Sequence, residues 1–238
     1  PRNQWWQDVL ENGPSSPYAD YFDIDWHPPR LLFDNKIFLP VLDQPYEKAL
    51  ENQTLKISYA KGAFYLVLYE FSLPTDPKSW PSLLNIFAQQ VQKIFSEKDP
   101  DYLELESIIT ALNHLPATHE TNHELVKERL REKEIIKKRL ELLILGNSNL
   151  AVLLNKHLDA INGKKGDPLS FDRLEKFLNQ QSYRLCYWRV ANDEINYRRF
   201  FDIFEYAGIR TEKPEVFDSI HQLIFTFIEK GYIQGLRI

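Results

Sequence analysis

The sequence predicts an α+β chain in which helix predominates, and three patterns carry that expectation. Apolar residues recur at helical spacing from about Ser82 to Gln180, alternation around a Lys61-Gly62 pair marks a hairpin between Thr54 and Leu73, and a strand, connection, helix, strand succession closes the chain. At 238 residues the chain can bury a sizeable core, as one large domain or as a domain with a substantial insertion.

The first fifty residues scatter Pro and Gly among large rings. "GPSSPY", "HPP" and "FLPVLDQPY" exclude long helices, yet Trp5, Trp6, Tyr18, Tyr21, Phe22 and Trp26 are too many rings for a free linker. These residues are expected to form ordered loops packed on a core. In the hairpin that follows, Leu55, Ile57 and Tyr59 share one face, with Phe64, Leu66 and Leu68 facing similarly on the return strand.

Beyond "PTDPKSWP" the apolar period changes from two to 3.6. Leu84, Phe87, Val91, Ile94 and Phe95 form one stripe and Leu105, Ile108, Ile109 and Leu112 the next; long helices are predicted over 121–145 and 148–161. After "NGKKGDP", Leu174, Phe177 and Leu178 make a short stripe, and all of these pack helix on helix. "YRLCYWRV" then reads as a strand and "NDEINYRRFFDIFE" as a polar and aromatic loop. Pro214 begins a helix to Lys230 whose apolar side holds Val216, Phe217, Ile220, Leu223, Ile224 and Phe227. Gly231 ends that helix, and "YIQGLRI" reads as a final strand.

Composition narrows the function. With 43% hydrophobic and 26% charged residues the chain is not globally disordered, and a formal charge of -5 offers no overall attraction to nucleic acid or to an anionic membrane. No stretch approaches the roughly 18 apolar residues of a membrane span, and the start lacks a signal-peptide core. A single cysteine, Cys186, excludes an internal disulfide framework and a cysteine-rich zinc site, which fits a reducing, cytoplasmic setting. The absence of any methionine suggests an internal piece of a longer protein.

Two motifs are read as structural. "KERLREKEIIKKRL" is a solvated helix face, with Glu134 and Lys138 spaced as a pair, rather than a nucleic-acid-binding helix. His114, His119 and His123 cluster near Glu120 and Glu124 but lack zinc-enzyme spacing, so an interhelical loop is expected and no metal. No phosphate loop or nucleophile elbow stands out, and no cofactor is expected.

The densest chemical constellation is "YWRVANDEINYRRFFDIFE". It gathers Arg189, Asp193, Glu194, Asn196, Tyr197, Arg198, Arg199 and Asp202 with Trp188, Phe200 and Phe201. Planar polar groups beside rings suit a polyhydroxylated ligand, whose hydroxyls need donors and acceptors and whose C–H faces stack on aromatics. On the residues alone, an ion-paired structural loop is an equally good reading.

The stretch "YRLCYWRVANDEINYRRFFDIFEYAGIR", followed by "EVF" and "GLRI", resembles maltooligosyl trehalose synthases of the α-amylase clan of glycoside hydrolases and transglycosidases. "WWQDVLENGPSSPYADYFDIDW" and "FLPVL" resemble the same family. The resemblance implies a fragment of a (β/α)8 barrel running from barrel strand 3 to strand 4. On that division 1–53 is a loop-rich segment after strand 3, 54–73 a β-hairpin, 74–181 a helical insertion, and 182–238 the return to the barrel through strand, loop, helix and strand 4.

The activity implied is conversion of the reducing-end α-1,4 glucosyl linkage of a maltooligosaccharide to an α,α-1,1 trehalosyl linkage, by intramolecular transglucosylation through a retaining covalent intermediate. The family's nucleophile is expected immediately after Ile238 and its other two carboxylates lie elsewhere, so none of the three catalytic carboxylates is expected here and the piece is expected to be inactive alone. Arg237 matches the arginine two positions before the nucleophile, whose charge would keep that carboxylate ionised. Asn196, Tyr197, Arg198, Arg199 and Phe200 match a block expected beside the glucose subsites. The implied partners are a maltooligosaccharide substrate and the remainder of the barrel, with no nucleic acid and no membrane, and with self-association through uncovered strand edges. The alternative is a noncatalytic glucan-binding or protein-interaction module.

Overall fold

Asn3 opens the first element, because its side-chain carbonyl accepts from the Trp5 and Trp6 amides and caps α1 (Gln4–Asn12). The computed structural model describes residues 3–29, 34–190, 195–201 and 203–237. Gly13 stops α1 at φ 56°, and a Cβ there would lie 3.0 Å from Ser182 Oγ and 3.3 Å from Thr118 Cβ. Glycine is required at this point both for the left-handed turn and for the close approach of three segments.

The loop-rich start contains a strand that the sequence reading did not anticipate. β1 (Ile37–Leu42) runs parallel to β5 (Tyr183–Tyr187), with Ile37 opposite Tyr183 and Leu42 opposite Tyr187. Pro40 is accommodated because, among the described residues, β1 pairs on one side and its register shifts between Leu39 and Leu42, where a missing N–H is tolerated. Between the two partners come α2 (Tyr46–Glu51), a three-stranded sheet and a run of helices.

β2 (Leu55–Ala60), β3 (Ala63–Leu68) and β4 (Phe71–Pro74) form an antiparallel meander. Leu55 faces Leu68, Ile57 faces Leu66 and Tyr59 faces Phe64, so the alternation read from the sequence becomes one apolar face. Lys61 and Gly62 close the hairpin with φ 49° and 76°, the two positive values that such a tight turn requires. The outer edge of β2 is covered by Asn162, whose amide both accepts from Ile57 N and donates to Ile57 O.

The helices are α3 (Pro81–Gln92), α4 (Pro100–His114), α5 (His123–Gly146), α6 (Ser148–Ile161) and α7 (Asp172–Leu178). Asp99, Asn122 and Asn147 cap the starts of α4, α5 and α6. Their stripes share one continuous core with the meander and with β1 and β5, built around buried Trp80, Phe87, Leu105, Leu140, Leu154 and Phe177. The chain is thus helix-dominated α+β with small sheets.

The basic run on α5 departs from expectation. Arg129 and Lys133 are buried rather than solvated, and Lys137 and Lys138 pair with Glu134 and Glu141 at i,i+3, so Glu134 and Lys138 do not form the expected pair. Arg129 Nη2 donates to Asp76 at 2.7 Å and its Nη1 to Pro116 O at 2.6 Å. Lys133 donates to Glu11 at 2.8 Å, and Lys137 also reaches Glu11. The long cationic side chains carry charge from a helix into carboxylates of α1 and of the 75–79 turn, so the run holds the fold together.

At the end of the chain, part of the expected loop forms strands. β6 (Arg199–Phe200) pairs antiparallel with β7 (Ile203–Ala207), and α8 (Pro214–Glu229) follows with Pro214 at its first turn. The expected final strand does not form over residues 232–237, which are irregular, with Tyr232 and Leu236 exposed. A strand needs a ladder partner, and none is present among the described residues. Only Val216 of α8 is buried, leaving Phe217, Leu223, Phe225 and Phe227 of its apolar residues exposed. No helix among the described residues is long and apolar enough to cross a membrane.

Candidate functional site

Asn196 occupies the centre of the matched block. Its Nδ2 donates to Asp25 O at 2.8 Å and to Lys36 O at 2.7 Å, its Oδ1 accepts from Phe38 N at 2.9 Å, and its own carbonyl accepts from Asp25 N at 2.7 Å. Both amide protons are spent on backbone carbonyls, and the side chain is 9% exposed. Asn196 therefore joins the block to β1 and to the aromatic segment before it.

Tyr197 is buried, bridges to Ile24, and lays its ring 5.5 Å from that of Trp6. Trp6 also meets Phe22 edge-on at 4.8 Å, while Trp5 contacts Tyr18 and Tyr21. The early rings are thus packed on the core, as expected from their number. Arg198 donates its backbone N–H to Asp23 O and its guanidinium to Glu212 at 3.2 Å and to Ile209 O. Arg210 pairs with Asp20 at 3.0 Å, and Lys213 pairs with the same carboxylate. The carboxylates of these pairs are at least half exposed, so each pair adds little to stability.

Arg199 and Phe200 make up β6. Phe200 is 57% exposed and meets the still more exposed Phe201 at a ring distance of 4.5 Å. Phe201 has φ 53°, a left-handed value that a bulky side chain rarely takes. The block divides accordingly: 196–198 are used by the fold, and the rings at 200–201 are presented to the surroundings. Arg237 lies in the irregular exposed segment after α8 and makes no ion pair among the described residues. Asp193, Glu194, Asp202 and Ile238 lie outside the described residues.

A polar cleft of about 430 Å³ opens at the amino ends of β1 and β5, beside Lys36, Lys78, His119 and Gln181. It contains no residue of the 196–200 block. Burial lowers the ammonium pKa of both Lys36 and Lys78, with the nearby Arg184 and Arg129 charges acting in the same direction on one lysine each. His114 bonds Thr110 O and His123 approaches Glu124, and among the described residues no three metal-binding side chains converge.

The two segments that carry the sequence resemblance meet in space, at Trp6 and Tyr197 and at the Phe22–Ile209 and Ile24–Tyr197 bridges. What they form is the aromatic and ion-paired end of an α+β chain. No family model matches the chain. Two curated proteins from two strains of Mycobacterium tuberculosis, each named "Putative maltooligosyl trehalose synthase", are 24% identical to it over 237 residues, covering 100% of this chain and 17% of theirs. The chain therefore spans about one sixth of the length of the curated relatives it matches.

Among solved structures, the maltooligosyltrehalose synthase from Arthrobacter ramosus aligns at 23% identity with a TM-score of 0.49, over 99% of this chain and 18% of that one. Another maltooligosyl trehalose synthase aligns at 18% identity and TM-score 0.46, over 93% and 17%. The chain resembles maltooligosyl trehalose synthases, and the resemblance runs along its whole length.

Proposed function

We propose that this chain is a part of a glucan-rearranging enzyme of the maltooligosyl trehalose synthase kind, cytoplasmic and acting on maltooligosaccharides. The observation that carries the reading is the contact of Trp6 with Tyr197 at 5.5 Å, which joins two family-like segments separated by most of the sequence. On this reading the chain runs from after strand 3 to strand 4 of a (β/α)8 barrel, the meander and α3 to α7 are an insertion, and the part after β5 leads through α8 back to the barrel.

The reaction proposed for the whole enzyme moves the reducing-end glucosyl unit from an α-1,4 to an α,α-1,1 linkage within one molecule, through a retaining covalent intermediate. The matched residues Asn196, Tyr197, Arg198, Arg199 and Phe200 bring amide, phenol, guanidinium and ring but no carboxylate. Asn196, Tyr197 and Arg198 hold the block in position, Arg199 and Phe200 bind, with the Phe200 ring facing a sugar, and Arg237 supports a carboxylate by its charge. Turnover is accordingly not proposed for this segment by itself.

The exposed apolar side of α8, with Phe217, Leu223 and Phe227, belongs on this reading against further parts of the enzyme, and the chain alone associates with itself. The test is incubation with maltopentaose of the longest protein that carries this segment, following reducing ends. Loss of reducing ends with trehalosyl product is expected; hydrolysis alone, or no reaction, overturns the reading.

A further inference from the structure

At the carboxyl end of the parallel pair, Leu42 and Tyr187 are the last paired residues, so Asp43 and Trp188 leave the sheet side by side. Ligands of parallel α/β sheets bind outside the carboxyl ends of strands, because the diverging loops there leave a crevice. Trp188 is 45% exposed and is held edge-on by Tyr187 at 5.9 Å. The Arg189 guanidinium lies 5.4 Å from the Trp188 ring centre and 5.7 Å from that of Tyr187.

Asp43 is held in turn by the Tyr69 hydroxyl. Tyr69 stands in the two-residue turn between β3 and β4 at φ 52° and is 46% exposed. A bulky residue in a left-handed turn stores strain, and here the strained residue is the one that reaches the end of β1. An oriented indole with a tyrosine ring and a guanidinium on one segment, and a carboxylate with a second tyrosine on the other, thus stand where the two strands leave the same end of the pair. None of these five residues lines the polar cleft, which lies at the opposite, amino end of the same strands.

We propose that Trp188, oriented by Tyr187 and Arg189, together with Asp43 and Tyr69, forms a stacking platform for one glucosyl unit of an α-1,4-glucan. The C–H face of the pyranose lies on the indole, and its hydroxyls donate to Asp43 and accept from Arg189. A nucleobase could also stack on the ring, but Asp43 and the net charge of -5 disfavour a phosphate backbone. The proposal rests on the glucan reading above for the linkage, and on the geometry of the strand ends for the place.

The test uses the longest protein that carries this segment, labelled with 15N-tryptophan and titrated with maltoheptaose and separately with cellohexaose. The indole N–H resonance of Trp188 is assigned as the one missing from the W188F spectrum. Expected is a shift of that resonance with maltoheptaose, a dissociation constant raised about tenfold or more in W188A, which is about 1.4 kcal/mol, and retention within about threefold in W188F, which keeps a ring for stacking. Far-UV circular dichroism checks that W188A keeps its fold.

Equal binding by wild type and W188A overturns the platform and leaves the glucan reading standing. Trp188-dependent binding of cellohexaose in place of maltoheptaose overturns the α-1,4 assignment. Absence of any sugar-dependent shift overturns the proposal, while the maltopentaose assay judges the enzyme reading independently.

Discussion

Asn196 Oδ1 accepts the Phe38 N–H at 2.9 Å across 158 residues of sequence, and with its two donated bonds it ties three segments at one buried point. The bond that secures β1 thus comes from the block that most resembles a carbohydrate-active family. Replacing Asn196 by Ala removes three hydrogen bonds, one from the Phe38 N–H and two to the Asp25 and Lys36 carbonyls, at about 1 kcal/mol each. The N196A chain is expected to lose roughly 3 kcal/mol of stability in urea denaturation, and N196D to fare no better because a carboxylate would face two carbonyl oxygens. A loss under about 1 kcal/mol would show that the stitch is dispensable.

Gly62 is constrained by its surroundings as well as by its φ of 76°. A Cβ there would lie 2.0 Å from the Lys137 carbonyl oxygen of α5, so hairpin and helix could not both keep their places. Gly166, at φ 86°, has open space around it and serves as the control. G62A is expected to cost more than about 3 kcal/mol, whereas G166A carries only the backbone penalty of about 1–2 kcal/mol. Equal melting temperatures for the two variants would contradict the close approach.

Glu11 is buried, and burial alone would raise its pKa. Lys133 and then Lys137 outweigh that effect and hold the carboxyl below its usual range. A carboxylate with a depressed folded pKa stabilises the fold fully above the unfolded value of about 4.3, and the contribution is lost as pH falls below it toward the folded pKa. Stability of the wild type should therefore decline more steeply below about pH 4.3 than that of E11Q. E11Q should itself be weaker at neutral pH, because buried Lys133 then exchanges its 2.8 Å carboxylate for the longer pairs to Asp8 at 3.6 Å and Glu134 at 3.5 Å. Parallel stability profiles for the two proteins through that range would refute the assignment.

His157 titrates with the opposite chemistry but the same direction. Burial beneath Phe87 lowers its imidazole pKa, against the favourable bond from Nε2 to Leu83 O at 3.0 Å. The neutral ring is preferred in the folded state, so its contribution is complete above the unfolded pKa of about 6.5. It falls away as pH drops from there toward the folded value, because the unfolded chain takes up the proton first. Denaturation midpoints measured between about pH 7 and pH 5 should fall in the wild type, and that fall should be smaller in H157Q. An unchanged slope would place the titrating group elsewhere.

Much of the architecture is visible as local periodicity. The hairpin at Lys61-Gly62, the helices closing near Leu145 and Ile161, and the Pro214 start of α8 all follow from spacing, caps and turn chemistry, which depend on neighbours in sequence. β1 was not visible, since Pro40 is a strand breaker unless the strand pairs on one side only, and that depends on Tyr183–Tyr187 arriving from far away. The irregular ending shows the converse: "YIQGLRI" has the pattern of a strand, but pattern alone supplies no partner for its backbone groups.

The candidate site divides the same way. Its composition and its resemblance to a glucan-acting family are properties of "NYRRF" and "WWQDVL" as strings. Which of these side chains are spent on the fold and which face outward is a property of packing. Charge counting left Arg129 and Lys133 in solvent, and tertiary contacts buried them against Asp76 and Glu11. Sequence determined the elements and the chemical inventory, because helical and strand periods and turn residues act over a few positions. Only the tertiary structure decided which polar groups are consumed in holding distant segments together, because a hydrogen bond such as that of Asn196 to Phe38 exists only once the chain between them has folded.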